Sequence, residues 1–189
     1  MIRPSDKRLD RLPIIFFKSM EDALKCDKIS AVLFDSKKAP IKEGDSTKNE
    51  KAHLVFDWDS TLVDIDGDLL INKYGRDHFS DFEWENRRVP HNKGYMYNFF
   101  DAVYQCNDFN ISILTARSAK EAYRVMNTLE SWGCVNNLQG IHFAANRSKG
   151  KILKAMSADL FFDDLRKNID DAVDCGVTSA WIPFGNATE

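Results

Sequence analysis

From His53 onward, short apolar runs alternate with stretches whose apolar residues recur at helical spacing. Leu54-Val55-Phe56 is a compact run that reads as a buried strand. Residues 69–74 and 97–104 read as helices, and 75–95, charged and aromatic without a clear period, as irregular. Residues 111–114 form the next strand. Ala122, Val125, Met126, Leu129 and Trp132 then fall on one helical face over 119–132, and Gly133 stops that helix. Strands at 141–144, 159–162 and 179–183 alternate with helices at 151–156 and 169–175, the last stopped by Gly176. Ahead of this series, residues 12–17 read as a strand with Pro13 near its start, where a missing N–H is tolerated. Ser19 is placed to cap a helix through Ala23 and Leu24, residues 29–34 form another strand, and 37–51 a polar linker.

Strands alternating with helices imply an α/β fold, a doubly wound parallel sheet. Right-handed crossovers put the loops after successive strands on one edge. The strand ends near Asp57, Thr115, Asn146 and Asp163 should therefore meet. A weak internal echo pairs Asp22-Ala23-Leu24, Cys26 and Ser30-Ala31 with Asp171-Ala172-Val173, Cys175 and Ser179-Ala180. It reads equally as a duplicated half-domain or as chance likeness of two α/β units. Asp35 also ends an apolar run, but without a second carboxylate it reads as a turn residue.

Composition narrows the class. The chain has 189 residues, enough for one domain with a small insertion, and 43% hydrophobic residues, which excludes wholesale disorder. A net charge of −3 argues against a nucleic-acid polymer as partner. The four cysteines show no C-x-x-C spacing and suit reduced thiols in a cytoplasmic protein. The charged N-terminus has no apolar signal region, and no apolar run approaches the roughly 20 residues of a membrane span.

The chemistry concentrates at the strand ends. Asp57 and Asp59 follow the strand at 53–56, and once the chain turns both can face one pocket. They suit a nucleophile and an acid/base, or simply an acidic turn. Thr115 can donate to a phosphate oxygen beside the backbone N–H groups of a helix start, or can cap that helix. Lys149 lies in a basic loop with Arg147 and Lys151 as competitors, where a cation could neutralise a transferred phosphoryl group. Asp163 and Asp164 suit Mg²⁺, which takes oxygen ligands, or a helix cap.

Taken in order, D-x-D, Thr, Lys and Asp-Asp, each after an apolar strand, the chain over roughly 53–185 resembles the haloacid dehalogenase superfamily of Mg²⁺-dependent phosphohydrolases. A narrower resemblance rests on Phe56-Asp57-Trp58-Asp59, Leu114-Thr115-Ala116-Arg117-Ser118-Ala119, Thr128-Leu129-Glu130-Ser131-Trp132-Gly133, Ser148-Lys149-Gly150, Phe161-Phe162-Asp163-Asp164 and Ile182-Pro183-Phe184-Gly185. These phrases look like the cytosolic 5'-nucleotidase I family, with this chain as a shortened member. The resemblance implies phosphate release from nucleoside 5'-monophosphates through an aspartyl-phosphate. It makes Asp57 the nucleophile and Asp59 the acid/base. Mg²⁺ would be held by Asp57, the Asp59 carbonyl and Asp163, with Asp164 beside these ligands. Phosphate would meet Ser60, Thr115, Ala116, Arg117 and Lys149. The family usually has Gly where this chain has Trp58, and smaller apolar residues at Ser60-Thr61, which leaves substrate preference open.

In that superfamily an insertion between the first two motifs forms a small cap, here 66–98. The division is then an N-terminal unit and linker at 1–52, a core at 53–65 and 99–189, and the cap between. Aromatic cap residues can stack a base or form the cap's own core. Trp58, Phe79, Phe82, Trp84, Asn86 and Lys93 are the candidates for nucleoside contacts, with His91 and Asn92 as further polar groups. The expected partner is a small nucleotide, with no membrane; a homo-oligomer is compatible with the sequence. The competing expectations are a phosphatase for another small ester, such as a pyridine mononucleotide, and a nucleotide-sequestering protein with little turnover.

Overall fold

The computed structural model describes residues 14–16, 51–65, 67–145 and 147–183. The helix expected after Ser19, the strand at 29–34, Asp35, nearly all of the 37–51 linker, the first copy of the internal echo and Asn146 lie outside the described residues.

The strands are β1 (Ile14–Phe16), β2 (His53–Phe56), β3 (Asn110–Thr115), β4 (Leu138–Phe143), β5 (Leu160–Asp163) and β6 (Ser179–Trp181). They form one sheet in the order β1-β6-β5-β2-β3-β4, every pair parallel. The expected doubly wound α/β sheet is what forms. Residues 14–16 add an edge strand to it, in register with Ser179, Ala180 and Trp181.

This order explains why the chemistry converges. From central β2 the chain winds outward through β3 and β4, then returns to β5 on the other side of β2. The crevice at such a reversal lies beyond the carboxyl ends of the strands and is where ligands bind in open α/β sheets. Asp57 therefore emerges between the end of β3, which carries Thr115, and the end of β5, which carries Asp163. Its backbone N–H still donates to the Phe162 carbonyl at 2.8 Å.

Side-chain alternation along the strands builds a core on each face. Leu54, Phe56, Leu160 and Phe162 point to one side, where α3 (Tyr97–Cys106) and α4 (Ala122–Trp132) supply Phe100, Val103, Val125 and Leu129. Val55 and Phe161 point to the other, against Leu153 of α5 (Lys149–Ala155) and Ile169 and Ala172 of α6 (Arg166–Asp174). Phe56 stacks on Phe162 at 4.7 Å and meets Phe100 edge-on at 5.4 Å. Helices on both faces are what a buried parallel sheet requires.

The insertion holds α1 (Gly67–Tyr74) and α2 (Arg76–Glu85), separated by Gly75 at φ +86°, which favours glycine. The second helix corrects the expectation of irregular chain over 75–95. Its buried positions are Phe79 and Glu83, one turn apart. A buried face that includes a carboxylate has no hydrophobic period to read. The insertion returns to the core at Gly94, whose N–H donates to the Leu62 carbonyl at 2.7 Å. A Cβ there would lie 2.7–2.8 Å from the backbone of Leu62 and Val63. Gly94→Ala should therefore destabilise the fold by about 1–3 kcal/mol. Thermal unfolding checks this, and an unchanged midpoint would contradict the packing.

Candidate active site

Lys149 is the first residue of α5, not a loop residue, and its ammonium is buried. It donates to Asp57 Oδ1 at 2.6 Å and to Asp163 Oδ2 at 2.8 Å. The Ser-Lys-Gly phrase accounts for this placement. Ser148 caps α5 and its hydroxyl also bonds the Asp171 carboxylate of α6 at 3.0 Å. Gly150 N donates to Asp171 Oδ2 at 2.8 Å, and a Cβ on Gly150 would fall 2.2 Å from the Asp171 carbonyl oxygen. The close approach of α5 to α6 thus needs glycine, and it sets Lys149 over the carboxylates.

Asp163 is fully buried and accepts from Leu165 N at 2.8 Å and Asn168 Nδ2 at 3.0 Å. Asp57, Asp163 and Asp164 each offer an oxygen, all within 4.8 Å of one another. Burial pushes Asp57 well above the usual carboxylate range; Lys149 pulls it down, while Asp163, Asp164 and Asp59 add to the rise. Burial and Asp163 likewise raise Asp164, to about 7. Burial opposes the charge on Lys149, but Asp163 and Asp57 outweigh it and hold the ammonium above the ordinary lysine range. One ammonium among three close carboxylates leaves an excess of negative charge. The donor set is all oxygen, so these residues fit a hard divalent cation such as Mg²⁺.

Asp59 stands apart from that group. Arg117 grips it with Nε at 3.1 and 3.0 Å and Nη2 at 2.7 Å. Its side chain keeps 20% exposure, more than Asp57 or Asp163. Thr115 is fully buried at the end of β3, and its Oγ accepts from Arg117 N at 3.1 Å. Ala116 is half-buried. Ser60 adopts φ +57° in the turn after β2, and its hydroxyl donates back to the Ile65 carbonyl at 3.2 Å. The Arg117 guanidinium, expected on phosphate, is instead divided between Asp59 and Glu83.

The expected nucleoside contacts divide. Trp58 is fully buried against Trp132 at 5.6 Å and His91 at 5.9 Å, so it cannot stack on a base. Phe79 is also buried, beneath the Arg117 guanidinium at 5.0 Å. Phe82 and Trp84 are exposed, and Trp84 packs on Tyr123 and Arg87. Asn86 closes the end of α2 by donating to the Phe82 carbonyl, and exposed Lys93 sits over Tyr97 at 3.9 Å.

Sequence reading missed a buried polar cluster behind Asp59. Glu83 takes hydrogen bonds from Arg117 Nη1 and from Arg124 Nη1 at 2.7 Å, and faces His91 Nε2 at 3.2 Å. Thr128 Oγ accepts from His91 N at 3.0 Å and donates to the Arg124 carbonyl at 2.7 Å. The available signal was the one-turn spacing of Phe79 and Glu83, together with Thr128 in the Thr-Leu-Glu-Ser-Trp phrase. Burial lowers the proton affinity of His91 despite its bond to Glu83, which leaves the ring neutral. Glu83 is then the buried carboxylate that faces both the Arg117 and the Arg124 guanidinium groups.

Burial alone would raise Glu83, but the His91 hydrogen bond, Arg117 and Arg124 outweigh it and bring it from the ordinary 4.5 to about 2. A depressed carboxylate stabilises the fold above its unfolded pKa and loses that contribution as pH falls through the folded one. Wild type should therefore exceed Glu83→Gln in urea resistance at pH 6, and the gap should narrow between pH 4.5 and 2. A gap that stays constant over that range would contradict the assigned charge.

The HAD domain of the effector protein Lem4 from Legionella pneumophila, solved as an inactive mutant, is similar at 14% identity and TM-score 0.48, over 72% of this chain and 88% of that one. A HAD-superfamily hydrolase from Ehrlichia chaffeensis is similar at 12% identity and TM-score 0.44, over 74% and 94%. The profile of the 5'-nucleotidase family matches residues 17–189. The chain thus belongs to the 5'-nucleotidase family.

Proposed function

We propose that the protein is a Mg²⁺-dependent 5'-nucleotidase that converts nucleoside 5'-monophosphates to nucleoside and phosphate through a phosphorylated Asp57. The observation that best supports this is the buried Lys149 ammonium between Asp57 and Asp163, with Asp164 alongside, in a chain of the 5'-nucleotidase family.

Each residue then has one task. The Asp57 carboxylate attacks phosphorus as the bond from phosphorus to the 5'-oxygen breaks. Asp59, held by Arg117, gives its proton to the departing 5'-oxygen. It next takes a proton from the water that attacks the phosphorylated Asp57, and the Asp57–phosphorus bond breaks. Lys149 stays charged throughout and offsets negative charge on the transferring group. Thr115, with its oxygen already accepting from Arg117 N, can donate its proton to a phosphate oxygen. Asp57, the Asp59 carbonyl and Asp163, with Asp164 beside them, would hold Mg²⁺, which when bound supplies charge neutralisation for the phosphoryl group. Trp58, the departure from the family's glycine, is fully buried against Trp132 and His91 rather than standing at the mouth of the site.

A panel of nucleoside 5'-monophosphates, assayed for phosphate release with Mg²⁺ and with EDTA, tests the reading. Release should require Mg²⁺, and Asp57→Asn should reduce it by roughly a thousandfold or more. Efficient release from sugar phosphates with none from any nucleotide would overturn the nucleotide assignment.

A further inference from the structure

The phosphoryl mechanism makes no direct use of Glu83, yet this side chain has no exposure and carries a charge in the interior. Its two oxygens are divided between two guanidinium groups. Oε1 accepts from Arg124 and Oε2 from Arg117, with neutral His91 against Oε2. Arg124 is itself anchored by Nε to the Val89 carbonyl at 3.0 Å. The guanidinium of Arg117 is a rigid planar fork, so fixing one edge fixes the other. Nη1 goes to Glu83, while Nε and Nη2 go to Asp59. Phe79, one turn before Glu83 on the same helix, closes against the guanidinium face. A buried ion network is weak evidence for stability as such, since well-packed apolar residues often do as well. What this one provides is an orientation for Asp59 set from the insertion.

We infer that Glu83 is a positioning residue for proton transfer by Asp59, acting through Arg117, so that the insertion helix α2 forms part of the acid/base apparatus. The inference rests on the nucleotidase reading. In the step concerned, the Asp57–phosphorus bond forms and the bond to the 5'-oxygen breaks. The electron pair stays on that oxygen, and the proton it gains comes from Asp59. A poorly aimed Asp59 penalises a leaving alkoxide, which needs the proton. It does not penalise a leaving thiolate, which departs without one.

The test compares a nucleoside 5'-monophosphate with the bridging 5'-phosphorothiolate of the same nucleoside. Both present the same base, sugar and phosphoryl group. The ratio kcat/KM reports steps up to formation of the phosphorylated Asp57. Glu83→Gln keeps the shape of the side chain but removes the charge that holds Arg117. It should lower kcat/KM for the oxygen ester by about a hundredfold and for the sulfur ester by no more than about threefold, the difference being the general-acid contribution. Glu83→Asp keeps the charge on a shorter arm, should give a smaller loss with the same selectivity, and serves in place of Glu83→Gln if thermal unfolding shows that variant unfolded. Thr128→Val disturbs the same cluster through His91 without touching Arg117, and should affect both esters alike. Equal losses on both esters in the Glu83 variants, or a selective loss in Thr128→Val, would overturn the inference. A wild type that releases phosphate from neither ester would instead overturn the nucleotidase reading beneath it.

Discussion

The site depends on one buried ammonium. Lys149 lies between Asp57 and Asp163, and none of the three has more than slight exposure. A charge in such a place is retained only if its partners are present, and removing one partner of a buried pair typically costs about 3–5 kcal/mol. The rest of the architecture meets that demand. The crossover from β4 to β5 must carry α5 across the sheet past β2. Ser148 and Gly150 fix the start of that helix on Asp171, and Leu165 N and Asn168 orient the Asp163 carboxylate. The strand order brings Asp57 and Asp163 side by side. The fold thus gathers acidic groups whose burial, and then mutual repulsion, raise Asp57 and Asp164, and one lysine offsets only part of that effect.

A second network answers the first from the other side of D-x-D. Arg117 joins Asp59 to Glu83, and Glu83 joins both to Arg124 and His91. The two motif carboxylates therefore live in different surroundings. Asp57 is buried beside a lysine and two further carboxylates. Asp59 is partly open and held by a guanidinium. Distinct surroundings are what allow two like residues to take distinct roles.

Much of this was legible in the sequence because the determinants are local. Apolar strands of a doubly covered sheet need no partner information to recognise, and each motif residue follows one of them. The order of motifs then fixes their meeting through topology. What escaped was what depends on distant partners. Helix α2 has a buried face of Phe79 and Glu83, and Glu83 is tolerable there only because Arg117 and Arg124 arrive from elsewhere in the chain. Trp58 follows the proposed nucleophile, and its position in the motif suggests a wall of the mouth. The turn after β2 carries it inward onto Trp132, where its indole N–H finds no acceptor among the described residues. Arg117 sits where a phosphate ligand was expected, but two carboxylates already hold it.

The central claim is that Asp57 carries the phosphoryl group. The most direct test is to quench the enzyme during nucleotide turnover, reduce with borohydride and map the products by peptide mass analysis. An acyl phosphate on Asp57 would be converted to homoserine at that position, and Asp57→Asn would give none. Complete phosphate release with no modified Asp57, or with the modification on another carboxylate, would contradict the account.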